Sequence, residues 1–274
     1  MTFDYCIKDS YSYEKIKKTS FECPFTKGVY DSLVHSFPQV YGKKFTNGKC
    51  VRLDKCAEIE GKSVLTISSI QFFDFLLTNF LYLNYHKVIS VVTGEVKAQI
   101  EHFYQSVTRD IGSFSFERII AKKQLSNLFA ISCIISDGER YLITKRNGSV
   151  GISNNFYSTT ATGIIDDEDF MTEDPVLSCC QREIAEEIGY GIPITDMKFR
   201  HIVCGDDKIQ PIALIDAKVD NILRVVDCIK SNNSFLAESS DYALYSKDDI
   251  RQLLANNNAL LTSAGRTHLE IAIR

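Results

Sequence analysis

From Cys50 onward, apolar and polar positions fall into runs that predict discrete elements. Val51-Arg52-Leu53 and Ser63-Val64-Leu65-Thr66-Ile67 read as short strands about the turn Glu60-Gly61-Lys62. Ile70 to Tyr85 is so dense in Phe72, Phe73, Leu76, Leu77, Phe80, Leu81 and Leu83 that it predicts a buried helix. Val88 to Val92 predicts a buried strand closed by Thr93-Gly94, and Val96 to Gln105 a further helix. The residues before Cys50 mix aromatics with lysines and predict no element.

A second pattern starts near Leu125. Phe129 to Ile135 and Arg140 to Arg146 are β-rich runs joined through Asp137-Gly138, a pair that tolerates the positive φ of a tight hairpin turn. After a Gly, Ser and Asn-rich loop (Asn147 to Asn155), Phe156 to Thr162 predicts a strand that ends at Gly163. Lys198 to Cys204 and Ile212 to Val219 predict strands across Gly205-Asp206-Asp207, and Lys247 to Ala255 a helix. Strands and helices without strict alternation indicate an α+β class, with a mixed sheet flanked by helices. The expected division is a smaller α/β domain over residues 1–125 and a second domain over 126–274.

Between Asp174 and Gly189 the local cues agree on a helix. Asp174 suits an N-cap, and Pro175 suits the first helical position, where its missing N–H goes unused. Leu177, Cys180, Ile184 and Ile188 recur at helical spacing as a buried stripe, and Gly189 suits a left-handed terminator. On this helix Glu183, Glu186 and Glu187 share a wedge of about 100° beside the stripe. Glu183 and Glu187 repel by a few tenths of a kcal/mol when exposed, roughly, and by more when partly buried. Arg182 offsets part of this toward Glu186, and a hard divalent cation would remove the conflict. A solvated acidic face is the ordinary alternative, so the wedge alone does not decide.

Composition narrows the classes. The 274 residues suffice for one large or two modest domains, and 45% hydrophobic with 24% charged content excludes a disordered chain. A net charge of −4 with dispersed Lys and Arg gives no reason to expect nucleic acid or an acidic membrane as partner. Nine cysteines scatter without a CxxC pair, which points to reduced thiols and a cytoplasmic setting rather than to zinc. Met1 to Ser10 lacks the pattern of a signal peptide, and Phe72 to Leu83 is too short to span a bilayer. The five histidines show no metal spacing, and a Cys204/His201 nucleophile pair has no flanking motif. Asp166 to Asp169 crowd one loop and read as a solvated acidic turn before they read as a cation site.

Arg182-Glu183-Ile184-Ala185-Glu186-Glu187-Ile188-Gly189 resembles, without a gap, the second half of the Nudix hydrolase box, G-x5-E-x7-R-E-U-x-E-E-x-G-U with U aliphatic. A chance match to that octet is on the order of one in ten thousand. The first half departs from the pattern, since eight back from Arg182 is Asp174 and the expected glycine falls on Glu168. Gly163 is the better counterpart and implies a longer loop; counted from it, the acidic position is Asp169. The final aliphatic position is Tyr190.

The resemblance implies a Nudix-type α/β/α sandwich over 126–274. It also implies hydrolysis of a diphosphate bond in a nucleoside diphosphate derivative, with water attacking phosphorus under Mg²⁺ control, or Mn²⁺ in its place. Glu186 and Glu187 would hold the metal, Glu183 would be a ligand or the base, and Arg182 would orient the glutamates. The carbonyl of Gly163 would be a further ligand. Asp206, Asp207 and Glu238 are candidates for an acidic residue outside the box, and Lys145 and Arg146 for contacts to substrate phosphate. The N-terminal domain would serve dimerisation or one wall of the substrate site, which leaves a homodimer open. Two other functions stay open: isomerase chemistry on the same fold, for which no histidine cluster is present, and a non-catalytic sensor of a nucleotide or ADP-ribose.

Overall fold

A computed structural model describes residues 2–42, 44–111, 115–147, 156–205, 209–232, 235, 239–256 and 261–274. They divide into two units, one of residues 3–129 with 204–211 and one of residues 130–203 with 212–274.

The first unit carries strands β1 (Thr2–Cys6), β2 (Tyr11–Lys15), β3 (Lys49–Ile59) and β4 (Lys62–Gln71). Its helices are α1 (Lys27–Tyr41), α2 (Phe72–Thr78), α3 (Tyr85–Ile89), α4 (Gly94–Ile111) and α5 (Phe116–Ala121). The predicted hairpin is present: β3 and β4 pair antiparallel, and Glu60 and Gly61 turn between them with φ of 51° and 76°. Strand β2 adds parallel to β4, giving the order β2-β4-β3.

Two expectations fail in this unit. The helix expected over Ile70 to Tyr85 starts late, because Ile70 and Gln71 still pair with Cys50 and Lys49. It also breaks at Asn79, beyond which Phe80–Leu83 form a 3₁₀ turn. There the buried Asn79 side chain takes over backbone groups from distant segments. Its Oδ1 accepts from Ser126 N (2.9 Å) and Ser126 Oγ (2.8 Å), and its Nδ2 donates to Ile209 O (2.8 Å). The strand expected over Val88 to Val92 is the end of α3 and a turn, and only Val88 within it is buried. A short apolar run does not by itself separate helix from strand. Helix α1, unread in the sequence, buries Val29, Leu33 and Phe37 and ends at Gly42 with φ 67°.

The second unit is built on strands β5 (Ala130–Ser136), β6 (Arg140–Arg146), β7 (Tyr157–Ser158), β8 (Ala161–Ile164), β9 (Met197–Gly205), β10 (Pro211–Lys218) and β11 (Ser239–Ser246). Its helices are α6 (Asp167–Met171), α7 (Pro175–Glu183), α8 (Ile222–Ser231), α9 (Lys247–Ala255) and α10 (Ser263–Ala272). The sheet runs β9-β10-β5-β6-β11, with β10 parallel to β5 and β11 antiparallel to β6. It is therefore mixed.

Strand β5 meets β6 only near the turn, at Ile135↔Leu142 and Ser136↔Tyr141. Beyond that the two splay, and the strand expected over Phe156 to Thr162 fills the gap as two pieces. Strand β7 pairs with β6 and β8 with β5. Between the pieces, buried threonine hydroxyls replace missing ladder bonds. Thr160 Oγ1 accepts from Ile135 N (2.9 Å) and donates to Leu142 O (2.6 Å), and Thr144 Oγ1 donates to Thr159 O (2.8 Å).

Helices cover both faces of this sheet, as successive strand residues point to opposite sides. On one face Cys133 meets Cys180 of α7. On the other Ile134 and Ile143 pack with Ile250 of α9 and Leu269 of α10. The second unit is thus an α/β/α sandwich. Through α10 runs a polar chain: Ser132 Oγ to His268 Nδ1 (3.1 Å), His268 Nε2 to Asp216 Oδ1 (3.2 Å), and Arg200 Nε donating to Asp216 Oδ2 (2.9 Å). Among the described residues, no helix is long and apolar enough to cross a membrane.

Candidate active site

Helix α7 forms where the sequence places it. Asp174 accepts from Leu177 N (3.0 Å) at the N-cap, and Pro175 is the first helical residue. Leu177, Cys180, Ile184 and Ile188 are buried as expected. The helix then widens into a π turn over Ile184–Ile188, which carries Glu186 and Glu187, and closes at Gly189 with φ 76°. Such wide turns are uncommon.

The octet is brought against the loop that starts at Gly163. Gly163 lies in β8, paired with Ile131, and a Cβ there would overlap Cγ, Cδ and Oε1 of Glu183. The absence of a side chain lets the Glu183 carboxyl lie on the backbone of the sheet. The contact joins Gly163 to the octet through Glu183.

The longer loop folds into helix α6. Asp166 caps it, accepting from Glu168 N (2.9 Å) and Asp169 N (3.0 Å), while Asp169 Oδ2 accepts from Asp166 N (3.2 Å). Asp169 is buried at 4% exposure and takes Arg182 Nη2 at 2.8 Å. The acidic position counted from Gly163 is therefore the ion-pair partner of the octet's arginine. Asp174, counted back from Arg182, is the N-cap of α7.

Arg182 is the hub of this cluster. Besides Asp169 it reaches Glu183 Oε1 (2.9 Å), Glu186 Oε2 (3.4 Å) and Asp166 Oδ2 (3.7 Å), and it donates to Ile164 O (3.2 Å). One guanidinium thus serves four carboxylates, so the cluster carries excess negative charge. The Glu183 side chain is only 13% exposed. Burial pushes its carboxyl up to about 7; Arg182 opposes this, and Glu186 and Asp169 add to it. Glu186 points outward, with its side chain 61% exposed.

A divalent cation fits this donor set, because it would supply charge that Arg182 alone does not and would find hard oxygen ligands. Among the described residues, no three His, Cys, Asp or Glu side chains already converge as ligands of one ion. Glu183 is engaged with Arg182 and Gly163, so a convergent set requires side-chain rotation.

Of the two basic candidates, Arg146 is brought to the site, its Nη1 donating to Thr162 Oγ1 (3.2 Å) next to Gly163. Lys145 points to the other side of β6, where its Nζ lies 5.9 Å from the centre of the Tyr157 ring. Asp206, Asp207 and Glu238 lie outside the described residues, as does the loop segment 148–155. Cys204 is fully enclosed and burial raises its thiol, which removes it as a nucleophile. Sequence reasoning missed Asn232, whose amide Nδ2 donates to Glu187 O (3.1 Å) and Glu186 O (3.3 Å). Nothing local in the sequence signals a contact across more than forty residues.

No protein-family model matches the chain, and no curated protein matches it. Solved structures similar to it include a hydrolase of the NUDIX family from Clostridium perfringens, at 16% identity and a TM-score of 0.34, covering 54% of this chain and 97% of that one. A MutT NUDIX hydrolase from Burkholderia pseudomallei matches at 17% identity and 0.35, covering 52% and 95%. A pyrophosphohydrolase from Bacillus subtilis matches at 13% identity and 0.37, covering 56% and 82%.

Proposed function

We propose that this chain is a Nudix-type pyrophosphohydrolase that splits a diphosphate bond in a nucleoside diphosphate derivative. The observation that carries the reading is the seating of Glu183 on Gly163. It joins the glycine and glutamate ends of one motif across a loop of unusual length.

In this reading Glu183, Glu186 and Glu187, with the Gly163 carbonyl, hold Mg²⁺ or Mn²⁺. The cation would neutralise charge that develops on the phosphoryl oxygens during cleavage. Arg182 keeps Glu183 and Glu186 oriented while Asp169 anchors it from behind. Glu183, whose carboxyl burial raises in the metal-free chain, is either a ligand of that cation or the base that takes a proton from water. Arg146 stands at the edge of the site as a donor to a substrate phosphate. Lys145 lies over the Tyr157 ring instead, its Nζ 5.9 Å from the ring centre.

The test is incubation with Mg²⁺ and a panel of dinucleotides, nucleotide sugars and nucleoside triphosphates, with products separated by chromatography. Release of a nucleoside monophosphate that drops by roughly a hundredfold or more in Glu187→Gln supports the reading. Tight binding of a panel member with no turnover would assign the chain as a nucleotide sensor instead.

A further inference from the structure

We propose that Asn232 is a positioning residue for the metal-binding pair Glu186 and Glu187, acting through the backbone of the π turn that carries them. The inference rests on the reading of the glutamate site given above.

The last carbonyls of a helix lack partners within it, and a π turn spaces them differently from an α turn. Within this turn Gly189 N bonds Ala185 O (3.1 Å), and the next two carbonyls, of Glu186 and Glu187, are taken by the Asn232 amide at 3.3 and 3.1 Å. Asn232 comes from another element, the C-terminus of α8, where its own N–H is bonded to Ile229 O (3.1 Å). Helix α8 is fixed in turn by Ile222, Val225, Val226 and Ile229, all buried. The donor is therefore held by the core of the unit.

Gly189 makes room for this contact. A Cβ at that position would stand 3.2 Å from Asn232 Nδ2 and 3.3 Å from Asn232 Cβ, a tight approach even before the positive φ is considered. The glycine thus serves both the left-handed turn and the passage of the amide.

The chemistry of the donor separates this arrangement from an ordinary helix cap. A Lys or Arg is the usual complement to the negative end of a helix. Here the residues that end the helix carry carboxylates needed for a cation, and an ammonium would pair with them. A neutral amide satisfies the carbonyls and adds no charge that would compete with a cation for the carboxylates. Each carbonyl belongs to the residue whose side chain is to be aimed, so holding it fixes the direction of the Cα–Cβ bond.

The experiment measures Mn²⁺ binding to the metal-free full chain by electron paramagnetic resonance, beside urea unfolding, for Asn232→Ala, Asn232→Lys and Glu187→Gln. Asn232→Ala is expected to weaken Mn²⁺ binding about tenfold. Asn232→Lys is expected to weaken it as much while keeping the parent's stability, because it still caps the helix but competes for the carboxylates. If Asn232→Ala binds Mn²⁺ like the parent, the carbonyl contacts do not position the carboxylates and the proposal is overturned. Should Asn232→Ala fail to fold, Asn232→Ser, whose hydroxyl is too short to reach both carbonyls, decides in the same way. Glu187→Gln separates the two levels of inference: if it also binds Mn²⁺ like the parent, the reading of the site fails and not the role of Asn232.

Discussion

Replacing Gly163 by Ala tests the packing that defines the site. Strand β8 is held by its pairing with β5, so the backbone at Gly163 has little freedom to retreat. The new methyl group would occupy the space of Glu183 Cγ, Cδ and Oε1. Overpacking of this kind costs about 1–3 kcal/mol when neighbours stay in place. If Glu183 instead swings out, the cost moves to its hydrogen bond with Arg182 (2.9 Å), and orientation at the site is lost. A double-mutant cycle in urea resolves the contact: Gly163→Ala, Glu183→Ala and both together, with hydrolysis rates measured on the same samples. Glu183→Ala removes the three atoms nearest to the new methyl, so Gly163→Ala should cost much less in that background. The expected coupling is about 1–3 kcal/mol, in line with residues in direct contact. An equal penalty in both backgrounds would show that Gly163 is required for some other reason, and the argument from Glu183 would be wrong.

Other outcomes follow from the same geometry. Asp169→Asn should lower stability by about 1–3 kcal/mol, since a buried hydrogen bond to a charged partner is weakened, and should reduce hydrolysis by loosening Arg182; unchanged rates would remove Asp169 from the site. Asn79→Ala should destabilise the first unit by roughly 1–3 kcal/mol, because Ser126 N and Ile209 O lose a buried partner; urea unfolding measures it. Asp216 supplies a pH dependence. Burial alone would raise its carboxyl, but the hydrogen bond and charge of His268, with Arg200, outweigh this and hold it below the ordinary value. A depressed folded-state pKa stabilises above the unfolded value of about 4 and is lost as pH falls through the folded value. Unfolding midpoints should therefore drop on acidification below about pH 4, and Asp216→Asn should flatten that decline. A decline of the same slope in the variant would assign it to other carboxylates.

How much of this was legible depended on whether a signal was local. The hairpin at Asp137-Gly138, the cap at Asp174 and the stripe from Leu177 to Ile188 are set by neighbours in the chain, and the sequence predicts them. The break at Asn79 and the splitting of Phe156 to Thr162 depend on polar groups satisfied across the fold, by Ser126 and Ile209 in one case and by Ile135 and Leu142 in the other. The seating of Glu183 on Gly163 needed the third dimension, because only there does the side chain meet the strand. Asn232 was unreadable for the same reason.

The ion pair of Asp169 with Arg182 spans thirteen positions where the family pattern spaces them by eight, and the extra residues lie wholly between the two partners. The contact that closes the loop is thus insulated from its length. A bridge anchored at both banks can carry a longer or shorter roadway, and Glu173, between the C-cap of α6 at Thr172 and the N-cap of α7 at Asp174, is the natural place for insertion. Loop closure changes by only about 0.6 kcal/mol for a doubling of length. The chain can therefore vary this segment without disturbing the ion pair underneath.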